Sequence, residues 1–367
     1  MVNPMDRRSF LRRGAFGVAG VTVLPAVLAA CGSDDKKSTS TSDTTAKAAD
    51  SGTTDLGTLD FQFSWVKNVE FAGEYIADDK GYYKQVGFSS VNLMSGGPSV
   101  QQDAVVASGK ALVGISAPDI TSSAILQGAP LIAIGAQYQK NPFCVMSLAD
   151  HNPIATPEDM YGKKIGVQST NEAVWAAFIK ASGLDASKIT KVPVQFDPQP
   201  LVNKEVDGWF SFITNEPNTL KSKGIDTVTF LLNDHGYPMV SEIYVVRQES
   251  LTKDKDKLLA MLEADVMGWT DSYKDPTIAP GLVVSNYGKD LGLDEAEQVL
   301  ESKAQNELIF TDEVKTNGLF TISDTLVEET IKTLGVAGIK MTAEKLFDQS
   351  LLKELYDSKP ELKAGLG

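Results

Sequence analysis

The sequence predicts an α/β protein of two lobes joined by a two-stranded hinge, and three observations lead there. Short apolar segments alternate with helical stretches of roughly 10–15 residues, the pattern of βαβ units and a mostly parallel sheet. Of the 367 residues, about 300 remain to fold once an N-terminal leader is set aside, more than a single core usually serves. Two apolar segments, near 143–148 and 241–247, bracket a second alternating set, so the chain leaves one lobe and later returns to it. The expected division is lobe I from 58–143 and 247–340, lobe II from 144–246, and a C-terminal helical segment over 341–367. No internal repeat is visible.

Residues 1–31 read as an address. Arg7-Arg8-Ser9-Phe10-Leu11-Arg12 precedes an apolar run from Ala15 to Ala30, then Leu28-Ala29-Ala30-Cys31-Gly32. A basic start, an apolar segment and small residues before a cut make a secretory signal. The paired arginines resemble a twin-arginine export signal, with Asp6 where Ser or Thr is usual, and Leu-Ala-Ala-Cys resembles a bacterial lipobox. That resemblance implies lipidation of Cys31. The apolar run is shorter than the roughly 20 residues of a spanning helix. Residues 32–57 are mostly Ser, Thr, Asp, Ala, Gly and Lys, with too little to bury to offset ordering entropy, and read as a flexible tether.

The first lobe is organised by Asp60–Tyr83. Leu59, Phe61, Phe63 and Trp65 alternate as in a half-buried strand. Asn68 stands where a helix N-cap belongs, with Glu70 in the first turn. Ala72, Tyr75 and Ile76 follow at helical spacing, and Gly81 is placed to end the helix in a left-handed cap. Val91–Met94 reads as a strand ending at Ser95-Gly96-Gly97-Pro98-Ser99, where Pro98 suits a first helical turn. The strand Leu112–Ser116 leads to Ala117-Pro118-Asp119 opening a helix, and Leu131–Ala136 runs into Gln137-Tyr138. Three turns thus bring Trp65 and Asn68, Gly96 to Ser99, and Ala117 to Asp119 to the edge where open α/β sheets bind ligands.

In the second set, Thr156-Pro157-Glu158-Asp159 starts a helix, and Ile165–Gln168 is a strand followed by a helix capped at Ser169-Thr170-Asn171-Glu172. Strands fit Val192–Phe196, Trp209–Ile213 and Val228–Leu232, and Ser241–Arg247 heads back to the first lobe. The remainder is helical, with apolar stripes Leu258, Leu262, Val266, Trp269 and Ala296, Val299, Leu300, Ala304.

Lys and Arg number 34 against 48 Asp and Glu. Removing residues 1–30 takes away Arg7, Arg8, Arg12, Arg13 and Asp6, leaving a net charge near −17 that argues against nucleic acid as partner. Cys144 is the one cysteine besides Cys31, so no structural disulfide is expected. His151 and His235 are the only histidines, and G-x-S-x-G, H-E-x-x-H and C-x-x-C are absent, so neither an enzyme nor a metal or cofactor is expected.

Trp65-x-x-Asn68, Phe71-Ala72-Gly73-x-Tyr75, Lys80-Gly81-Tyr82-Tyr83-Lys84, the Gly96-Gly97 turn and Asp207-Gly208-Trp209-Phe210 with Asn215-Glu216-Pro217 resemble the NMT1/THI5-like family over roughly 57–330. The resemblance implies the periplasmic-binding-protein type II fold and a solute-binding lipoprotein of an ABC importer. Its ligands there are pyrimidine precursors of thiamine, with relatives taking riboflavin, sulfonates, taurine or nitrate. The expected partners are a small flat heterocycle, an ABC permease and the membrane through Cys31, with the protein itself a monomer. Arg247 is the one arginine left after residue 30, so a bidentate clamp for a carboxylate or sulfonate is hard to build, which leaves helix N-termini and lysines as the alternative means of holding an anion. Trp65, Phe71, Tyr75, Tyr138, Trp209 and Phe210 fall near strand ends and suit stacking on a ring. Glu216 follows a strand of the second lobe and suits two N–H bonds from an aminopyrimidine; the alternative is a helix-start Glu before Pro217, with Asn215 as a plain cap. The expected ligand-binding set is completed by Asn68, Gly96, Gly97, Pro98, Ala117, Asp119, Gln137 and Ser169. Fungal pyrimidine-synthesising members carry a cysteine-rich motif, and Cys144 here stands alone.

Overall fold

The structure is a computed structural model that describes residues 55–365. The signal-like segment with Cys31 and residues 32–54 of the expected tether lie outside the described residues. Ten strands form two five-stranded sheets: β1 (Gly57–Gln62), β2 (Phe88–Met94), β3 (Val113–Ser116), β4 (Leu131–Tyr138), β5 (Phe143–Leu148), β6 (Lys164–Gln168), β7 (Thr190–Val194), β8 (Gly208–Phe212), β9 (Thr227–Leu231) and β10 (Ser241–Arg247). The first sheet has the order β2-β1-β3-β10-β4 and the second β7-β6-β8-β5-β9. β1 runs parallel to β2 and β3, and β6 parallel to β7 and β8. In each sheet the fourth position is antiparallel to both neighbours, β10 in the first and β5 in the second. Each of these is the first strand after a crossing, so the chain enters the new sheet from the opposite end.

The crossings are carried by residues 139–142 and 232–240, and β5 and β10 are central ladder members rather than a ribbon between lobes. The connections are laced by side chains. Asn141 Nδ2 donates to the Tyr237 carbonyl at 3.1 Å, and Lys140 Nζ lies 3.2 Å from Asp234 Oδ1 at the surface. Because β10 belongs to the first sheet, the boundary expected at residue 246 falls before Ser241 instead. β1 likewise begins at Gly57, inside the expected tether, with Leu56 N–H already bonded to Gly87 O. The segment after 341 packs on the first lobe: Leu351, Leu352, Leu355 and Tyr356 join its core, and Phe347 bridges Ala133 of β4.

The organising stretch folds largely as its residues dictate. Asn68 caps a single turn, Val69–Phe71, accepting from Glu70 N–H, and the helix Ala72–Asp79 follows. Gly81 takes φ 72°, the left-handed conformation that only glycine adopts without steric cost. Pro98 does not start a helix; the next one begins at Gln102, three residues beyond the Gly96–Ser99 turn. The long helix Lys255–Lys274 buries Leu258, Leu262, Val266 and Trp269 as its spacing predicts.

The helix Glu295–Ile309 reverses the expectation. Ala296 and Leu300 are exposed, while Glu297, Gln298, Glu301, Ser302 and Gln305 are buried. Gln298 Oε1 accepts from Val69 N–H at 2.7 Å, and Gln305 Nε2 donates to Val69 O at 3.0 Å. Glu301 Oε1 accepts from Asn68 Nδ2 at 2.9 Å. The polar face turns inward because the tight turn at 69–71 leaves backbone groups that only side chains can satisfy.

Candidate functional site

A cleft of about 470 Å³, partly continuous with solvent, opens between the two sheets. The first lobe contributes Ser64, Trp65, Glu70, Gln102, Ser116, Ala117, Ile120 and Glu242. The second contributes Phe143, Thr170, Asn171, Phe210, Ser211, Phe212, Asn215 and Glu216. The walls are aromatic with a few convergent polar groups, the usual make-up of a small-molecule site.

Gly96 sets the Trp65 loop in place. A Cβ there would sit 2.5 Å from the Phe63 carbonyl oxygen and 2.6 Å from Trp65 N, so only glycine lets the turn lie against that backbone. Gly96 N–H then donates to Trp65 O at 2.8 Å. In the second lobe β8 alternates: Phe210 faces the cleft, stacked at 5.0 Å on Phe143, and Trp209 faces a separate small core with Leu201 and Leu220.

Three carboxyls line the cleft, Glu70, Glu216 and Glu242, each at most 5% exposed. Glu216 Oε2 accepts from Ser211 Oγ at 2.7 Å and from Phe212 N–H at 3.2 Å. Among the described residues no other residue donates to its Oε1. Desolvation pushes the Glu216 carboxyl up to about 7, opposed by those hydrogen bonds. Glu242 is pushed to about 8, chiefly by burial, with Ser64 Oγ donating to its Oε2 at 2.8 Å. Glu70 is raised well above the carboxylate range by burial and by Glu242, Glu301 and Glu216. Lys, Arg and His are absent from the lining. The lining thus offers carboxyl, hydroxyl and amide groups and no cationic side chain.

The lobes are hydrogen-bonded to each other on both sides of the cleft. Thr170 N–H donates to Pro98 O at 3.1 Å, and Thr170 Oγ1 reaches Val100 O at 3.1 Å. Thr219 Oγ1 donates to Glu297 Oε1 on the other side.

Of the residues expected at the site, Trp65, Ala117, Phe210, Asn215 and Glu216 line the cleft; the others stand elsewhere. Asn68 is a buried cap bound to Glu301. Phe71 stacks on Phe63 at 4.1 Å, and Tyr75 on Tyr287 at 4.4 Å, both within the first-lobe core. Gly96, Gly97 and Pro98 shape the turn behind Trp65 and the contact to Thr170. Asp119 is buried, its Oδ2 accepting from Tyr237 OH at 2.7 Å, so it anchors the second crossing. Gln137 Nε2 donates to the Glu70 carbonyl at 3.0 Å, supporting the carboxyl-bearing turn from behind. Tyr138 OH donates to Gln305 Oε1 at 3.0 Å, Ser169 is exposed beside the lining pair Thr170 and Asn171, and Trp209 is core. Ser64, Glu70, Gln102, Ser116, Ile120, Phe143, Thr170, Asn171, Ser211, Phe212 and Glu242 escaped the sequence reading. Glu242 carried one legible signal, a charge next to the apolar run Ile243–Val246 of its strand. His151 and His235 do not line the cleft, and burial pushes the Cys144 thiol up. Among the described residues no His, Cys, Asp and Glu group has the geometry to hold a metal, and no helix is long and apolar enough to cross a membrane.

A profile described as NMT1/THI5 like matches residues 68–279, more than half of the chain. The chain belongs to that family. It is 24% identical over 238 residues to the riboflavin-binding protein RibY of Chloroflexus aurantiacus, covering 63% of this chain and 67% of that protein. It is 25% identical over 231 residues to a 4-amino-5-hydroxymethyl-2-methylpyrimidine phosphate synthase of Schizosaccharomyces pombe, covering 59% of this chain and 66% of that one. The alkanesulfonate-binding protein SsuA of Xanthomonas axonopodis pv. citri, solved with MOPS, superposes with a TM-score of 0.56 at 14% identity, over 78% of this chain and 95% of that one. That likeness shows a shared fold: the two-lobed α/β architecture of the periplasmic-binding-protein type.

Proposed function

We propose that this NMT1/THI5-like protein is an extracytoplasmic, lipid-anchored solute receptor of an ABC importer, capturing a small flat heteroaromatic such as a pyrimidine precursor of thiamine. The observation that carries the ligand class is the cleft lining, with Glu70, Glu216 and Glu242 among aromatic walls and no basic residue. Glu216 offers a free carboxylate oxygen to the N–H bonds of an exocyclic amino group. Such charge-assisted bonds are about twice as strong as neutral ones. Trp65 from the first lobe and Phe212 from the second supply flat apolar surface. A sulfonate or nitrate would enter an acidic, desolvated site without a cation to meet it, at a large electrostatic cost. The Leu-Ala-Ala-Cys31 motif supports the anchor, and the two-lobed fold supports delivery of one ligand to a permease by the monomer.

Riboflavin is the second reading, favoured by the RibY relative and the aromatic walls. A pyrimidine-forming enzyme is the reading from another class, prompted by the fission-yeast relative. Against it, the single cysteine among residues 55–365 is buried with its thiol held protonated.

The test is thermal unfolding of residues 55–367 against aminopyrimidine precursors, thiamine, riboflavin, taurine, an alkanesulfonate and nitrate. A ligand at 100 times its Kd adds about 2.7 kcal/mol. A shift with the aminopyrimidines supports the proposal, a shift with riboflavin alone replaces the ligand, and a shift with an anion overturns the electrostatic reading.

A further inference from the structure

Two first-lobe carboxyls in the cleft share a single donor. Glu70 lies in the turn Val69–Phe71, and Glu242 is the second residue of β10. Ser64 Oγ lies 2.8 Å from Glu242 Oε2 and 3.3 Å from Glu70 Oε1. A serine hydroxyl has one proton to donate, so it serves one carboxyl at a time. The titratable groups facing the pair bring no positive charge. Glu216 faces from the second lobe, Glu301 from the helix Glu295–Ile309, Glu74 from the helix Ala72–Asp79, Tyr138 from β4, and Tyr75 from beside Glu74. Glu301 is already committed to Asn68 and Gln298. Glu242 is also held at φ 47°, left-handed strain that persists only where surrounding contacts enforce it. Two carboxylates so placed, out of water and without a cation, cannot both stay ionised.

We infer that Glu70 and Glu242 hold one shared proton in the empty cleft and pass it to a ring nitrogen of a neutral, weakly basic heteroaromatic, which is then bound as a cation between both lobes. This rests on the heteroaromatic reading above and narrows it to basic rings. In the step, a carboxyl O–H bond breaks and a ring N–H bond forms. The carboxylate left behind faces the new cation, and no proton crosses to solvent. Opposite, the ionised Glu216 accepts from the ring's amino side. Glu70, raised well above the carboxylate range by burial and by the neighbouring Glu242, keeps that proton in place at neutral pH. An anion finds no partner in such a cleft, and a ring without a basic nitrogen leaves the shared proton where it was.

The experiment measures the affinity of 4-amino-5-hydroxymethyl-2-methylpyrimidine from pH 5 to 9 by calorimetry on residues 55–367, with infrared spectra of the ligand-free protein. The wild type is expected to bind best between two limbs. The acid limb near 7 follows Glu216, and the alkaline limb, above it, follows loss of the shared proton. Glu242→Gln is expected to move the alkaline limb and weaken binding about tenfold, the equivalent of one pKa unit. It should also remove one protonated-carboxyl carbonyl band from the ligand-free spectrum. Glu70→Gln reads the same limb and the same band should Glu242→Gln fail to fold. An alkaline limb and a carbonyl band unchanged in the folded variants would overturn the inference. Failure of the probe to bind would overturn the heteroaromatic reading and the transfer with it, while the carbonyl band still decides whether the pair shares a proton.

Discussion

Glu216 and Trp65 make their predictions at the scale of single side chains. Glu216 is buried, anchored through one oxygen and open through the other, so Glu216→Gln keeps the anchor and removes the charge. The expected cost for an aminopyrimidine is about 1.5–3 kcal/mol of affinity with no loss of thermal stability, read by calorimetry beside a melting curve. Trp65 is half-buried at the cleft, and Trp65→Ala is expected to cost more affinity than stability; equal losses would return it to the core. The neighbours Trp209 and Phe210 show why such assignments fail from sequence. Both are aromatic and adjacent in β8, yet the two-residue period of a strand sends only Phe210 to the cleft. Phe71 and Tyr75 were misplaced for a related reason: an aromatic ring suits a core and a stacking site equally well.

The helices Ala72–Asp79 and Lys255–Lys274 cross at Gly73 and Gly268, where a Cβ on Gly268 would lie 2.0 Å from the Gly73 carbonyl. Gly268→Ala is therefore expected to force the helices apart and cost about 1–3 kcal/mol or more, visible as a lower denaturation midpoint. Thr170 joins the second lobe to Pro98 and Val100, and its side chain never has to touch a ligand for closure to depend on it. Thr170→Val is expected to speed ligand release while leaving the melting temperature of the empty protein nearly unchanged, as stopped-flow displacement would show. The helix Glu295–Ile309 was legible as a helix but not in its facing. Its inward residues Gln298, Glu301, Ser302 and Gln305 keep helical spacing, yet polar spacing ordinarily marks a solvated face.

Across the whole molecule, buried carboxyls set the response to pH. Asp103 and Asp119 are raised to about 6, Glu74 to about 7 and Glu242 to about 8, each chiefly by burial. A carboxyl raised above its unfolded value binds more protons folded than unfolded, so its stabilisation is fully present below the unfolded value near 4 and is lost as pH rises through the folded one. The ligand-free protein is thus expected to melt at progressively lower temperature between about pH 5 and 8, a trend that its formal charge of −14 reinforces. Glu74→Gln keeps an acceptor for Tyr244 OH, which lies 2.6 Å from Glu74 Oε1, and should flatten that slope. An unchanged slope in differential scanning calorimetry would remove Glu74 from the account.

By itself the sequence determined the α/β class, the ends of most strands, the Asn68 cap and the left-handed Gly81, because these depend on local periodicity and backbone sterics. It also contained Glu216 and the single arginine after residue 30, Arg247, which leaves a bidentate anion clamp hard to build. Only the tertiary structure decided that β5 and β10 are central antiparallel strands and that the crossings are loops tied by Asn141. It alone brought Ser64, Glu70 and Glu242 together, since Glu242 lies 178 residues from the serine that donates to it. Proximity across such a separation is set by packing and sheet order. Neither the spacing of residues along the chain nor their individual chemistry encodes it.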